Sequence, residues 1–148
     1  MPVAFVTLLT LWIAPVLRAA DQTKADNATA LDQAASWVGN AVPGQSDRAI
    51  WDGTLSAANS TNSAGASVLN VGQIQVKSPG AGVPIRITGS SAWWRLFGVS
   101  GAAIDMSTAT ADLTIGPGFT VQSWTDGAIF LNQAGRTLTI SGQLWLGN

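Results

Sequence analysis

The sequence contains no histidine, cysteine or tyrosine, and all eight of its acidic residues are aspartate. The absence of cysteine excludes a disulfide framework and a thiolate metal site. Without histidine or cysteine, a nucleophilic triad of the usual kind cannot form. A metal site would have to be a calcium site built on aspartate, and the Gly- and Asp-rich calcium-binding nonapeptide is missing. We therefore expect no catalytic residues, no metal and no cofactor.

Charge is also scarce in this chain. Only 10% of the 148 residues are charged, and the net charge is −1. The sequence has no basic field to attract phosphates and no glycine-rich phosphate loop followed by lysine. Nucleic-acid binding is therefore disfavoured. The length suits one domain with a modest core.

The N-terminus carries a long apolar run. The segment "VAFVTLLTLWIAPVL", residues 3–17, has fifteen uncharged residues and is followed by Ala19 and Ala20 and then by polar residues. It is too short for a comfortable membrane span and has the size of a signal-peptide core. We predict a signal peptide over residues 1–20, which makes the protein secreted, extracellular or displayed on the outer cell surface, with no membrane span in the mature chain. An uncleaved anchor or a misassigned start codon is the alternative.

Residues 21–65 show no clear period. The beginning of this stretch is rich in Ala, Asp and Thr, its apolar residues fall on no convincing helical face, and "VPGQSD" at 42–47 has the composition of a turn. We predict an irregular N-terminal cap segment over 21–65.

From Val71 onward the chain repeats itself. The stretches "GAAIDMSTATADLTIGPGFTV" and "DGAIFLNQAGRTLTISGQLWL" superpose without a gap at an offset of 25 residues. An earlier unit with looser spacing contains "IQV", "IRI" and "WRL". Six apolar positions keep step, pairing Ile104 with Ile129, Met106 with Leu131, Leu113 with Leu138, Ile115 with Ile140, Phe119 with Leu144, and Val121 with Leu146.

Each unit holds three short strands with an apolar-polar-apolar pattern, separated by turns rich in Gly, Ser, Pro and Asn. Alternate side chains of a strand point to opposite faces, so coiling the units on one another encloses the apolar residues. The sequence thus predicts an all-β parallel β-helix, a solenoid with about three coils of roughly 25 residues over 66–148. A β-sandwich or jelly roll is the alternative, but antiparallel hairpins predict no translational repeat.

This register predicts which side chains face outward. They are Gln75, Asp105 and Phe130 on the first strand ladder, Arg86, Thr114 and Thr139 on the second, and Arg95, Thr120 and Trp145 on the third. Only one of these nine is acidic, whereas β-helix enzymes gather carboxylates on one outer face. Asp112 and Asp126 fall at turns, where Asp commonly accepts local backbone hydrogen bonds.

Tryptophan supplies the candidate binding residues. In "SSAWWRLFG", Trp94 is predicted to point inward and Trp93 outward, while Trp124 lies in a loop and Trp145 points outward. Outward Trp rings stack on sugars or cover another surface, and Arg95 can add a cation–π contact. The candidate glycan-contact residues are therefore Trp93, Arg95, Trp124 and Trp145. Packing under a cap, or under the loop after Gly53, is the alternative explanation.

The chain resembles secreted bacterial proteins with autotransporter-associated β-strand repeats. The resemblance rests on the segments "ASW" and "AVPGQSDRAIWDG", with Trp37, Pro43, Gly44, Asp47 and Ala49, and on the ending "LTISGQLWLGN". The resemblance covers most of residues 30–148. It implies a right-handed β-helix, surface display, repeats that usually perform no catalysis, and a chain that is the N-terminal part of a longer passenger.

These observations favour a non-enzymatic, secreted or surface-exposed solenoid segment with a role in adhesion or surface scaffolding. Its expected partners are surface glycans or other surface proteins, and an open solenoid end would permit self-association. The alternatives are a fragment of a carbohydrate-active β-helix enzyme, similar to pectate lyases in fold, and a glycan-binding module.

Overall fold

The computed structural model describes residues 19–77, 83–89, 93–118, 120–124 and 130–147. Of the predicted signal peptide, only Ala19 and Ala20 lie within these ranges. None of the helices in them is long and apolar enough to span a membrane.

The described chain is built from short strands and three single-turn 3-10 helices. The 3-10 helices are Ala34–Ser36, Ala57–Asn59 and Val99–Gly101. The strands are β1 Asp21–Thr23, β2 Arg48–Trp51, β3 Thr61–Ser63, β4 Leu69–Val71, β5 Gln73–Val76, β6 Ile85–Thr88, β7 Trp93–Leu96, β8 Ile104–Met106, β9 Leu113–Ile115, β10 Thr120–Ser123, β11 Phe130–Asn132, β12 Leu138–Ile140 and β13 Gln143–Leu146.

These strands form three sheets in which every pairing is parallel. Sheet 1 has the order β1-β2-β5-β8-β11, sheet 2 the order β3-β6-β9-β12 and sheet 3 the order β4-β7-β10-β13. Successive coils therefore contribute one strand to each sheet, which is the arrangement of a parallel β-solenoid. The predicted solenoid is confirmed and the sandwich alternative is wrong. The structure has about four turns instead of about three, because β2, β3 and β4 form a coil before the first predicted one.

The prediction that residues 21–65 are irregular is wrong for β1, β2 and β3, which lie inside that range. The apolar pattern misses β3 because its inward residue is Asn62, which pairs with Ile87 of the next coil. Asn62 is 2% exposed, its Oδ1 accepts a hydrogen bond from Trp51 Nε1 at 3.0 Å, and its amide donates to the Asn59 carbonyl at 2.7 Å. A buried amide satisfied in this way replaces an aliphatic side chain without an unpaired polar group.

Two residues of the N-terminal segment pack into the solenoid core. Leu31 is fully buried and Trp37 is 2% exposed, and both belong to the core cluster. The Trp37 indole donates to the Leu31 carbonyl at 2.9 Å and packs edge to face on Trp51, with ring centroids 5.8 Å apart. The Trp51 ring lies 6.5 Å from that of Trp94, so three indoles succeed one another through the core.

The second ladder agrees with the predicted register, since Ile87, Ile115 and Ile140 pair in succession. The first ladder agrees for Ile74 with Ile104. It differs in the last coil, where Ile104 pairs with Phe130, and Leu131 pairs with Asp105 instead of Met106. The predicted partner of Ile104, Ile129, lies outside the described residues, as does Phe119.

The third ladder is displaced by two residues, because Val121 pairs with Leu144 and not with Leu146. The turn from β12 to β13 has two residues, whereas the turn from β9 to β10 has four. A sequence superposition without gaps does not detect this shorter turn, so it pairs β13 with the wrong residues of β10. The inward and outward side chains are still predicted correctly, because a shift of two residues keeps each side chain on the same face of the sheet.

Candidate functional site

One face of the solenoid collects the candidate binding residues. Outward side chains of sheet 3 alternate with inward ones along β7, β10 and β13. We call this surface the aromatic face. It consists of the row Trp93, Thr120 and Gln143, the row Arg95, Gln122 and Trp145, and the pair Phe97 and Trp124 that follows β7 and β10.

Two of its indoles meet across three coils. The Trp93 and Trp145 rings are edge to face, with centroids 5.3 Å apart and planes at 71°. Their strands, β7 and β13, lie on either side of β10, so this contact spans the outward side of β10. Trp145 nevertheless remains 51% exposed. The pair therefore presents a rigid aromatic surface to solvent.

Arg95 is held by a second aromatic group. Its guanidinium carbon lies 4.7 Å from the Trp124 ring centroid, and the Phe97 ring lies 6.3 Å from Trp124. A cation at this distance from an indole face is attracted by the ring electrons. The long Arg95 side chain is thereby fixed beside the indole pair.

Polar groups lie beneath and beside the rings. Thr120 and Gln122 of β10 are each 6% exposed, and the Thr120 hydroxyl lies 3.2 Å from Gln143 Oε1, to which it donates a hydrogen bond. The Oε1 atom of Gln122 and the Nε atom of Arg95 are buried without a hydrogen-bond partner among the described residues. Unused buried polar atoms carry a desolvation cost that a ligand can relieve.

A pocket of about 440 Å³ adjoins this face at the corner between sheets 2 and 3. It is lined by Gly118, Thr120, Ser141, Gly142 and Gln143. Because Thr120 and Gln143 belong to the same row as Trp93, the pocket continues from the aromatic face. Aromatic rings beside a pocket with hydroxyl and amide groups form a surface suited to a polar ligand with apolar ring faces.

The sequence prediction identified the four candidate residues but not their arrangement. The structure places Trp93 against Trp145 and Arg95 against Trp124, and it confirms that Trp94 points inward, fully buried. Thr120 was expected in the row of Arg95 and Trp145, and this is wrong because Gln122 occupies that place. Gln122 was therefore not predicted as a site residue. Aligning β7 with β10 in the observed register places it opposite Arg95.

The outward acid predicted on sheet 1 is engaged in hydrogen bonds. Asp105 pairs with Gln75 in register and accepts its amide at 3.1 Å, and it also accepts the Ser107 hydroxyl at 2.6 Å. Burial raises the pKa of Asp105, but the hydrogen bonds from Ser107 and Gln75 outweigh burial and keep the pKa below its ordinary value.

Phe130 was also expected to face outward on sheet 1. This is wrong, because Phe130 pairs with buried Ile104 and packs against the core.

Other aspartates join turns of neighbouring coils. Asp112 accepts a hydrogen bond from the Thr137 backbone at 3.0 Å, and Asp26 accepts one from the Ser56 backbone at 3.0 Å. The predicted turn position of Asp112 is correct, but its bond reaches the next coil instead of its own turn. Asp126 lies outside the described residues.

Within the ranges that the structure describes, no three acidic side chains gather where they could hold a metal ion.

Comparison with protein-family models, with curated proteins and with solved structures finds no match to this chain.

Proposed function

We propose that this chain is a segment of a secreted or surface-exposed solenoid that acts in adhesion, without catalysis, and contacts surface glycans through the aromatic face. The observation that carries the proposal is the Trp93–Trp145 pair, a solvent-exposed aromatic surface beside the Arg95 guanidinium. Sugar rings have apolar faces that stack on indoles, and their hydroxyls bond to amides and hydroxyls of the kind supplied here by Gln143 and Thr120.

The resemblance to passenger-type proteins supports surface display. The stacked coils form three parallel sheets, with apolar side chains inside and polar or aromatic side chains outside. Solenoids use such an extended outer surface for binding. An adhesin needs such a surface more than it needs an enclosed active site. Adhesion is therefore favoured over the glycan-degrading alternative.

A scaffold role has its own supporting observation. The strands β11, β12 and β13 pair with the preceding coil, and among the described residues no strand pairs with their other edge. Their apolar side chains are partly open to solvent, with Leu144 39% and Leu146 66% exposed. Because exposed strand edges pair readily with other strands, we propose that two copies of this segment, when it is produced alone, associate through this edge. Light scattering would show a concentration-dependent dimer, which Leu146→Lys should weaken; a monomer at all concentrations would contradict it.

The glycan-contact proposal is tested by binding of the secreted protein to immobilised polysaccharides, both neutral and acidic. We expect retention on at least one of them, and we expect Trp145→Ala to weaken it at least tenfold. Leu131→Ala is the matched control, since Leu131 is an exposed apolar residue on sheet 1 of the same coil, 40% exposed. Retention on none of the polysaccharides would contradict the proposal.

The same samples test the enzyme alternative. Each bound polysaccharide is incubated with the protein, and new reducing ends and unsaturated sugars are measured. We expect no increase over buffer. Release of either product, lost in the variant Asp105→Asn, would favour the carbohydrate-active alternative instead.

A further inference from the structure

We propose that the ligand of the aromatic face is a carboxylated polysaccharide, with a sugar ring stacked on Trp145 and a uronate carboxylate paired with Arg95. This inference rests on the proposed function and adds the chemical class of the glycan and the direction in which it lies.

The charge of the aromatic face supports an anionic ligand. Arg48 pairs with Asp21 at 2.6 Å and Arg136 approaches Asp112 at 4.0 Å, so these two cations have acidic partners within the protein. Arg95 has no such partner among the described residues, and the described outward positions of β7, β10 and β13 contain no aspartate. The described part of this surface therefore carries a positive charge, in a chain whose net charge is −1.

The unused hydrogen-bonding atoms indicate what the ligand must offer. The Nε–H of Arg95 is a donor and Gln122 Oε1 is an acceptor, and neither has a partner in the part of the chain that the structure describes. A carboxylate accepts from a guanidinium, often with two parallel bonds, and a sugar hydroxyl donates to an amide oxygen. A uronate residue carries both groups. Trp145 stands next to Gln122 in this row and is half exposed.

The arrangement of the row sets the direction of the ligand. Arg95, Gln122 and Trp145 are opposite one another on three adjacent strands. Neighbouring strands are about 4.8 Å apart, so the backbones of Arg95 and Trp145 are separated by about 10 Å along the solenoid axis. The Trp145 ring reaches back across β10 to contact Trp93, which is on the same strand as Arg95. A glycan with a uronate on Arg95 and a neighbouring sugar ring on Trp145 therefore lies across the strands, along the solenoid axis.

Arg86 provides a matched control. It is the outward residue of β6, pairs with Thr61 and Thr114 on sheet 2, and is exposed. It also has no acidic partner among the described residues, but its row carries threonine where the row of Arg95 carries an aromatic residue. Replacing Arg86 changes the net charge as replacing Arg95 does and leaves the aromatic face intact.

The test compares oligogalacturonate with its carboxyl-reduced, neutral form in calorimetric titrations of the secreted protein. We expect at least tenfold tighter binding of the carboxylated form. In Arg95→Gln this preference for the carboxylated form should disappear, and Arg86→Gln should retain it. Added salt should weaken binding of the carboxylated form alone, a measurement that needs no variant.

Equal affinity of the wild type for the two forms, or a preference that survives in Arg95→Gln, would overturn the carboxylate assignment and leave glycan contact standing. A preference lost equally in Arg86→Gln would also overturn it, because the effect would then come from net charge. Binding of neither form, together with no retention on the polysaccharide panel, would overturn the proposed function itself.

Discussion

Trp93 and Trp145 are in contact, edge to face with centroids 5.3 Å apart, although a strand of the intervening coil separates theirs. The contact joins the coil of β5, β6 and β7 to the coil of β11, β12 and β13 on the outward surface of sheet 3. It requires that all three strands keep their register, since a slip of one residue would turn one of the rings to the opposite side of the sheet. The aromatic face is thus a product of coil stacking.

We expect Trp145→Ala to affect binding more than folding. Loss of an aromatic pair costs about 0.5–1.5 kcal/mol beyond the buried area, and Trp145 is half exposed. The free energy of unfolding, measured in urea, should therefore fall by about 1 kcal/mol. A loss of several kcal/mol would show that Trp145 acts mainly in packing, which is the alternative to glycan contact.

The N-terminal cap should contribute strongly to stability. Trp37→Ala removes a ring that packs on Trp51 and also the hydrogen bond to the Leu31 carbonyl. Truncation of a buried tryptophan costs about 3–5 kcal/mol. Val38→Ala is the control, because the neighbouring Val38 is 67% exposed and should cost less than about 0.5 kcal/mol. Equal unfolding midpoints for the two variants would mean that the cap does not stabilise the coils.

Gly72 lies at the corner between β4 and β5, where a side chain has no room. An added Cβ would be 2.5 Å from the Asp47 backbone oxygen and would also strike Val99. Gly72→Ala should therefore destabilise the protein by about 3 kcal/mol, at the upper end of the usual overpacking cost. At Gly39 the Cβ would meet the movable end of the Gln22 side chain at 3.0 Å, so Gly39→Ala should cost less than about 1 kcal/mol. Thermal unfolding compares the two, and a similar loss in both would contradict the close approach at Gly72.

Acid should weaken the link between the cap and the first coil. The Asp32 carboxylate accepts hydrogen bonds from the Ala66 and Ser67 backbone. Burial raises the pKa of Asp32, but these bonds and one from Gln33 outweigh it and lower the pKa below 3.8. Because the folded-state pKa is lower than the unfolded one, this stabilisation is present above about pH 4 and is lost as the pH falls through the folded-state pKa.

Urea unfolding at pH 6 and pH 3 should show this loss in the wild type and a smaller change in Asp32→Asn. Asp52→Asn is the control, since Asp52 accepts hydrogen bonds from Thr54 within its own turn. An unchanged pH dependence in Asp32→Asn would exclude Asp32 as a source of the acid sensitivity.

Sequence pattern predicted those parts of the fold that repeat at constant length. Ile115 and Ile140 were assigned correctly because β9 and β12 keep the offset of 25 residues, whereas the rows of sheet 3 were misplaced where the turn before β13 loses two residues. Composition also could not show that Asn62 lies inside the first coil, since a polar residue becomes a core residue only when its partner, here the Trp51 indole, is in place.

The sequence was sufficient to predict which residues belong to the candidate site, but not how their side chains contact one another. Alternation along single strands made Trp93 and Trp145 outward, but their contact depends on the register of three coils. Gln122 gave no signal of its own, because a lone glutamine in a strand resembles any solvent-facing residue until Arg95 and Trp145 are placed on either side of it.

The most direct test of the account is an NMR titration of the indole N–H signals with oligogalacturonate, with each signal assigned by a Trp→Phe variant. The account predicts shifts for Trp93, Trp124 and Trp145 and no shift for the buried Trp37, Trp51 and Trp94. No shift of the three outward indoles at saturating ligand, or larger shifts of the buried ones, would contradict glycan binding at the aromatic face.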